Sequence, residues 1–221
     1  MSHATLIDNT LRMCPVIPIL TVEDPAQAVP LAQALVRGGL KVLEVTLRTS
    51  RALEVIEAIA KGVPEAVVAA GTVVRPAQMR SARDAGARLA VSPGITQAML
   101  QASHQPGALA LLPGIATASE LMLGQEAGIV HFKLFPAHAI GGTALLKSLY
   151  APFPKAVFCP TGGIDLTTAP TYLALPNVAC VGGSWMVPAD AVQQGQWDKI
   201  EALAQAASVL PRPDRPVITG P

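Results

Sequence analysis

The sequence predicts an α/β fold, a single-domain (β/α)8 TIM barrel with a short N-terminal helix. Three observations predict it. Short, near-continuous apolar runs recur eight times and end in Gly, Pro, Thr or Ser; strands buried on both faces of a parallel sheet read this way. Longer segments with helical spacing separate them. The count matters too: five or six units would suggest an open doubly wound sheet, whereas eight suit a barrel. With 221 residues the chain is at the small end of the barrel range, so its loops must be short.

The elements follow in order. Residues before Val16 are expected to form a short helix over the barrel floor. The strand runs are Val16–Leu20, Val42–Leu47, Val67–Thr72, Leu89–Pro93, Leu109–Pro113, Ile129–Pro136, Ala156–Thr161 and Val178–Ser184. The first helical segment, Asp24–Arg37, has an Asp as N-cap, Pro25 at its first position and Gly38-Gly39 after its end, a start and stop with physical reasons. Pro30 inside it argues the other way, because an interior proline removes a helical hydrogen bond. Arg51–Lys61, Pro76–Ala85, Thr96–Ser103, Thr117–Ala127, Gly142–Tyr150, Thr167–Leu175 and Ala191–Ala207 complete the set. Residues 1–210 are read as the barrel and residues 211–221, PRPDRPVITGP, as a proline-rich tail, unstructured or loosely docked.

Composition bounds the function. Hydrophobic residues make up 51% and charged residues 14%, which argues against disorder. Sixteen Lys+Arg against fifteen Asp+Glu leave a net charge of +1, so no global pull toward nucleic acid or an anionic membrane follows. No apolar run is long enough to span a bilayer, and the first residues lack the plan of a secretory signal. Cys14, Cys159 and Cys180 are an odd number without metal-type spacing, so buried thiols in a reducing cytoplasm are the expectation. His3, His104 and His138 share no spacing with carboxylates, which leaves a metal site weakly supported. No cofactor is implied.

In a barrel, alternate strand residues point inward and active sites gather at the C-terminal strand ends. The second run then aims Val42, Glu44, Thr46 and Arg48 into the barrel and Leu43, Val45 and Leu47 at the helices. Ionised groups are costly to bury without a partner or a function. A structural Glu44–Arg48 ion pair is the bland alternative. The sixth run aims His131, Lys133 and Phe135 inward. A lysine in such surroundings is rarely buried unpaired, and burial in general favours the neutral amine, a nucleophile toward ketones and aldehydes. Here the bland alternative is a Lys133–Glu44 pair that only holds the barrel together. His131, two residues deeper, reads as a satisfied core histidine. At the other strand ends, Gly71 permits close backbone approach and Thr72 offers a hydroxyl. The Ser92-Pro93-Gly94 and Leu112-Pro113-Gly114 exits are tight turns first, with Pro93 as a further pocket wall. Two glycine pairs, Gly162-Gly163 and Gly182-Gly183, follow the last two runs beside Thr161 and Ser184. Barrels commonly bind phosphate there through backbone N–H groups. The set suggests a phosphorylated small-molecule substrate with a carbonyl and a carboxylate.

LEVTLR (43–48), AGTV (70–73), SPG (92–94), FKLFPA (132–137), CPTGGI (159–164) and GGSW (182–185) resemble the signature segments of the bacterial 2-keto-3-deoxy-6-phosphogluconate (KDPG) aldolase and 4-hydroxy-2-oxoglutarate aldolase family. The resemblance runs from about Pro15 to Ala207. It implies a metal-free class I lyase of the Entner–Doudoroff pathway, a homotrimer, that releases pyruvate from a phosphorylated 2-keto acid. It also implies Lys133 as the Schiff-base lysine and Glu44 as the general acid/base. Arg48 and Thr72 would hold the pyruvyl carboxylate, Pro93 and Phe135 would wall the pocket, and Thr161 would meet substrate hydroxyls. Gly162, Gly163 and Ser184 would bind the phosphate. Ala69 stands where the family often has glycine, and Asp165–Pro170 is atypical. Three rivals remain: a pyruvate aldolase with the galactonate epimer or 4-hydroxy-2-oxoglutarate as its main substrate, a silent phosphate-binding barrel, and an isomerase on the same scaffold. Thr161 favours the gluconate-derived substrate over the first, and Lys133 with Glu44 argues against the second. An isomerase would need no imine.

Overall fold

The computed structural model describes residues 2–213. Helix α1 (His3–Arg12) comes first, with the Ser2 hydroxyl accepting from the Thr5 N–H as its cap. Parallel strands follow: β1 (Val16–Leu20), β2 (Val42–Thr46), β3 (Val67–Gly71), β4 (Leu89–Val91), β5 (Ala110–Leu112), β6 (Gly114–Ile115), β7 (His131–Leu134), β8 (Val157–Pro160) and β9 (Val181–Gly183). One sheet runs β5-β4-β3-β2-β1-β9 and the other β6-β7-β8. All eight expected runs contain strand; the first matches β1 end to end, and the other strands are shorter than their runs. The fifth run holds β5 alone, and a further short strand, β6, follows its end. Pro113 has no N–H to donate, and the chain changes partner there: β5 pairs with β4, β6 with β7. Isolated parallel bridges, Phe158–Val178 and Thr161–Gly182, link the β8 and β9 segments.

The sheet curls. Counting β5 and β6 as one lane, β2 and β7 lie four lanes apart, which in a flat sheet is about 19 Å. Yet Lys133 on β7 donates to Glu44 on β2 at 2.9 Å. Only a sheet rolled toward its own interior brings them together. Register places Ile19, Glu44, Ala69, Leu89 and Ala110 in one row across five strands. Phe132 and Phe158 pack on the opposite, helix-facing side with ring centroids 6.1 Å apart.

Helices alternate with the strands: α2 (Ala28–Arg37), α3 (Ala52–Gly62), α4 (Pro76–Asp84), α5 (Gln97–Ser103), α6 (Ala118–Glu126), α7 (Gly142–Tyr150) and α8 (Ala169–Leu173). Asp24 caps a 3-10 turn, Pro25–Gln27, rather than α2 itself. Pro30 is harmless because it falls in the first turn of α2, where its missing N–H would have had no helical partner. Thr96 and Thr117 cap α5 and α6, and Glu120 returns to the Thr117 N–H at 2.9 Å, a capping box. The expected last helix is two helices, α9 (Ala189–Gln193) and α10 (Trp197–Ser208). Gly195 between them has φ +65, a left-handed conformation that a helix cannot continue through. Thr167–Leu175 shortens to α8 because the Asp165 carboxylate binds the Thr167 and Thr168 N–H groups in a turn of its own. Among the described residues no helix is long and apolar enough to cross a membrane.

Helix α1 packs against the N-terminal strand ends. Its Asp8 accepts from His131 at 3.1 Å and from Arg12 at 2.6 Å. Of the expected tail, residues 214–221 lie outside the described residues. Arg212, at its start, donates to the carbonyls of Leu11, Cys14 and Ala179 at 3.0–3.2 Å and to that of Arg12.

Candidate active site

Lys133 and Glu44 meet inside the curled sheet with 6% and 4% of their surfaces exposed. The arrangement follows from strand alternation: each is on the inward face of its strand, flanked by apolar residues that face the helices. Glu44 is not paired with Arg48; its partner is Lys133. Strand β2 stops at Thr46, so Arg48 sits in the following turn, exposed, with no ion pair among the described residues. Thr46 is tied instead, to the Leu20 carbonyl and to the Thr21 hydroxyl, both at 2.9 Å.

Gly71 has a sharper role than close backbone approach. A Cβ there would lie 2.3 Å from Glu44 Oε1, so the missing side chain makes room for the carboxylate. Thr72 has φ +60, a left-handed conformation costly for a β-branched residue; it is half-buried at the end of β3. Phe135 brings its ring centroid to 5.4 Å from Lys133 Nζ, within cation–π reach. Pro93 is half-buried, and Gly114 lets its carbonyl approach, since a Cβ would fall 2.4 Å from it.

Thr161 is buried, with its hydroxyl 3.4 Å from the Cys159 carbonyl. Beyond it Gly162 and Gly163 have φ +104 and +71, which glycine alone adopts freely. Gly182 and Gly183 are not a turn; they form the end of β9. Their small size serves neighbours: a Cβ on Gly182 would meet Thr161 Oγ1 at 2.3 Å, and one on Gly183 the Trp185 ring at 1.9 Å. The Thr161–Gly182 bridge sets the Gly162-Gly163 turn beside Ser184. The bridge turns the Gly162 N–H toward the Gly182 carbonyl; among the described residues the N–H groups of Gly163 and Ser184 make no hydrogen bond. Free amide donors at adjacent strand ends are the kind of group that can accept an anion. A cavity of about 480 Å³ opens beside Ser184, lined also by Thr21, Val22, Asp24 and Val187.

His131 is the satisfied core histidine expected. Burial holds its pKa below the ordinary 6.5, with the Asp8 carboxylate pulling the other way. The unfolded chain therefore takes up a proton near pH 6.5 that the folded chain resists, so stability is full above that value and falls as pH drops through it. The thermal midpoint should fall more between about pH 7 and about pH 5 in the parent than in His131→Gln; equal slopes would remove His131 from the acid response. Asp8 was not legible as its partner, since nothing in the sequence ties a helix before β1 to the floor under β7. The Asp8–Arg12 spacing on one helix face was the only available signal.

Lys133 and Glu44 thus form a buried amine in contact with a buried acid, a pair suited to imine chemistry on a carbonyl compound. The family model for KDPG and KHG aldolase matches residues 7–203. The chain belongs to the KDPG and KHG aldolase family. The chain is 53% identical over 193 residues to a 2-dehydro-3-deoxy-phosphogluconate aldolase of Pseudoalteromonas atlantica, covering 87% of this chain and 89% of the relative. It is 50% identical to the KHG/KDPG aldolase of Escherichia coli K12, covering 92% and 95%. Among solved structures, KDPG aldolase from Legionella pneumophila superposes with a TM-score of 0.89 at 45% identity, covering 91% of this chain and 97% of that one. That protein was captured with pyruvate as a covalent carbinolamine. The Zymomonas mobilis enzyme solved with 3-phosphoglycerate also superposes at 0.89, with 48% identity and coverage of 95% and 98%. As in those aldolases, the scaffold here is a curled parallel α/β sheet in a single domain.

Proposed function

We propose that this family member is a class I, metal-independent aldolase that cleaves KDPG to pyruvate and glyceraldehyde 3-phosphate. It also cleaves 4-hydroxy-2-oxoglutarate to pyruvate and glyoxylate. The observation that carries the reading is the buried Lys133–Glu44 contact at 2.9 Å. The two strand bridges and the shared lane of β5 and β6 support a closed (β/α)8 barrel. A cytoplasmic homotrimer acting in the Entner–Doudoroff pathway completes the reading, as the resemblance implies.

The chemistry follows from the contacts. Glu44 accepts a proton from the Lys133 ammonium, freeing the amine. The amine attacks the C2 ketone and gives a carbinolamine, which loses water to become a protonated imine. That cation is an electron sink. Glu44, after passing its proton on, takes the C4 hydroxyl proton, directly or through water. The C3–C4 bond breaks, its electrons enter the imine, and the aldehyde leaves. The remaining enamine is protonated at C3, and water hydrolyses the imine to pyruvate and free Lys133. Arg48 and Thr72 hold the carboxylate, Pro93 and Phe135 wall the pyruvyl pocket, and Thr161 meets a substrate hydroxyl. Gly162, Gly163 and Ser184 take the phosphate on backbone N–H groups, with Gly182 and Gly183 shaping the adjoining strand end. These remote contacts orient the bond that breaks.

Two measurements test the reading together. Purified protein should release pyruvate from KDPG, and pyruvate with borohydride should leave one reduced pyruvyl adduct on Lys133. An adduct at another lysine, or none in a protein that still cleaves KDPG, overturns the imine mechanism. The same trapping separates this reading from an isomerase or a silent binding barrel.

A further inference from the structure

We propose that His138 is a specificity-determining residue: its imidazole supplies the side-chain cation that contacts the substrate phosphate. The proposal rests on the reading of Gly162, Gly163 and Ser184 as the phosphate cradle. It adds to that reading a group from a different strand.

The backbone argument comes first. His138 lies five residues beyond Lys133, in a 3-10 turn, His138–Ile140, at the exit of β7. The Ala137 and His138 N–H groups donate to the Thr161 and Gly162 carbonyls at 2.9 and 3.0 Å. The exit of β7 is thereby zipped to the glycine turn, with the Thr161 and Gly162 carbonyls consumed and the Gly163 amide left open. The side chain comes next. A Cβ on Gly163 would lie 2.6 Å from His138 Cβ and 3.2 Å from its Cγ. Glycine at 163 therefore does two things: it permits φ +71, and it clears the space beside which the imidazole stands.

The imidazole is also uncommitted. It is exposed, and among the described residues its ring makes no hydrogen bond and has no carboxylate within ion-pair distance. Asp165, the acid two residues beyond Gly163, has its carboxylate turned to the Thr167 and Thr168 N–H groups and the Thr168 hydroxyl at 2.8–3.0 Å. Neither glycine segment, Gly162-Gly163 or Gly182-Gly183-Ser184, contains a lysine or arginine. A phosphate seated on the open amides would meet His138 as the ionisable side chain packed against the turn. A phosphate dianion favours the protonated imidazole, and the resulting N–H···O bond is charge-assisted. A substrate without phosphate gains nothing from it.

The test measures kcat and KM for KDPG, for its dephosphorylated counterpart 2-keto-3-deoxygluconate, and for 4-hydroxy-2-oxoglutarate. The proteins are the parent, His138→Gln, His138→Glu and His138→Arg. For KDPG, His138→Gln should raise KM about 5-fold and His138→Glu about 20-fold or more, the range of a charge-assisted bond lost or reversed at a solvated site. The change in kcat should be much smaller, and His138→Arg should recover most of the loss. The ratio of kcat/KM for KDPG to that for either unphosphorylated substrate should fall in step. Parent-like KM for KDPG in His138→Glu overturns the proposal, and so does an equal loss on all three substrates. The two readings fail separately. If the parent strongly prefers KDPG to 2-keto-3-deoxygluconate and the variants keep that preference, the cradle stands and His138 is excluded. If the parent shows no such preference, the cradle falls and this proposal falls with it.

Discussion

Lys133→Met is expected to lower kcat for KDPG cleavage by on the order of 10⁴-fold or more, the scale on which removal of a covalent nucleophile acts. Among the described residues Lys133 is the amine in contact with Glu44, and Arg48 is a guanidinium in an exposed turn beyond the end of β2. Methionine matches the lysine stem as far as Cε and omits the amine, so the strand should still pack. The substitution has a second, separable cost. Glu44 would lose its partner while only 4% exposed, and breaking a buried pair from one side costs about 3–5 kcal/mol. The double variant Lys133→Met/Glu44→Gln removes both charges and should recover most of that stability without recovering activity. Chemical denaturation and single-turnover cleavage measure the two effects independently. A single variant that keeps even a tenth of the parent rate would place the nucleophile elsewhere.

Glu44→Gln is expected to lower the cleavage rate by about 10²–10⁴-fold, as the loss of a general acid/base does. The amide still accepts a hydrogen bond from Lys133 Nζ, and Gly71 leaves the same room for it, so the variant should fold. The signature is a split. Borohydride trapping of pyruvate on Lys133 should persist, more slowly, while aldol cleavage and exchange of the pyruvate methyl protons both collapse. Cleavage at the parent rate would make Glu44 structural and require another base.

Much of this site was legible because strand alternation is a strict rule of period two. Once Val42–Leu47 and Ile129–Pro136 read as strands, Glu44 and Lys133 had to face the same way as Thr46 and His131. The strand ends were less legible. Gly182-Gly183 reads as a turn by composition, but it ends β9, because Thr161 and Trp185 need the space that side chains would fill. Arg48 continues the inward alternation on paper, but β2 stops at Thr46 and releases it to the mouth of the sheet. Pro113 looks like a strand exit, whereas the next two residues form another strand against β7. Each miss has one cause: ladder ends depend on which partner is present, and partners are not local.

The sequence by itself determined the order of strands and helices, the inward set of polar residues and, through its motifs, the family. Those depend on periodicity and residue chemistry, which are local. Only the tertiary structure decided who meets whom. It paired Glu44 with Lys133 across four lanes of sheet and not with Arg48 four residues away, because the curl makes the distant strand the nearer one. It joined Asp8 on α1 to His131 under β7, a partner 123 residues away. It set His138 against Gly163, from an adjacent strand, where the sequence offers only an isolated histidine. Contacts between elements far apart in the chain are settled by the curl of the sheet, and no local pattern encodes that geometry.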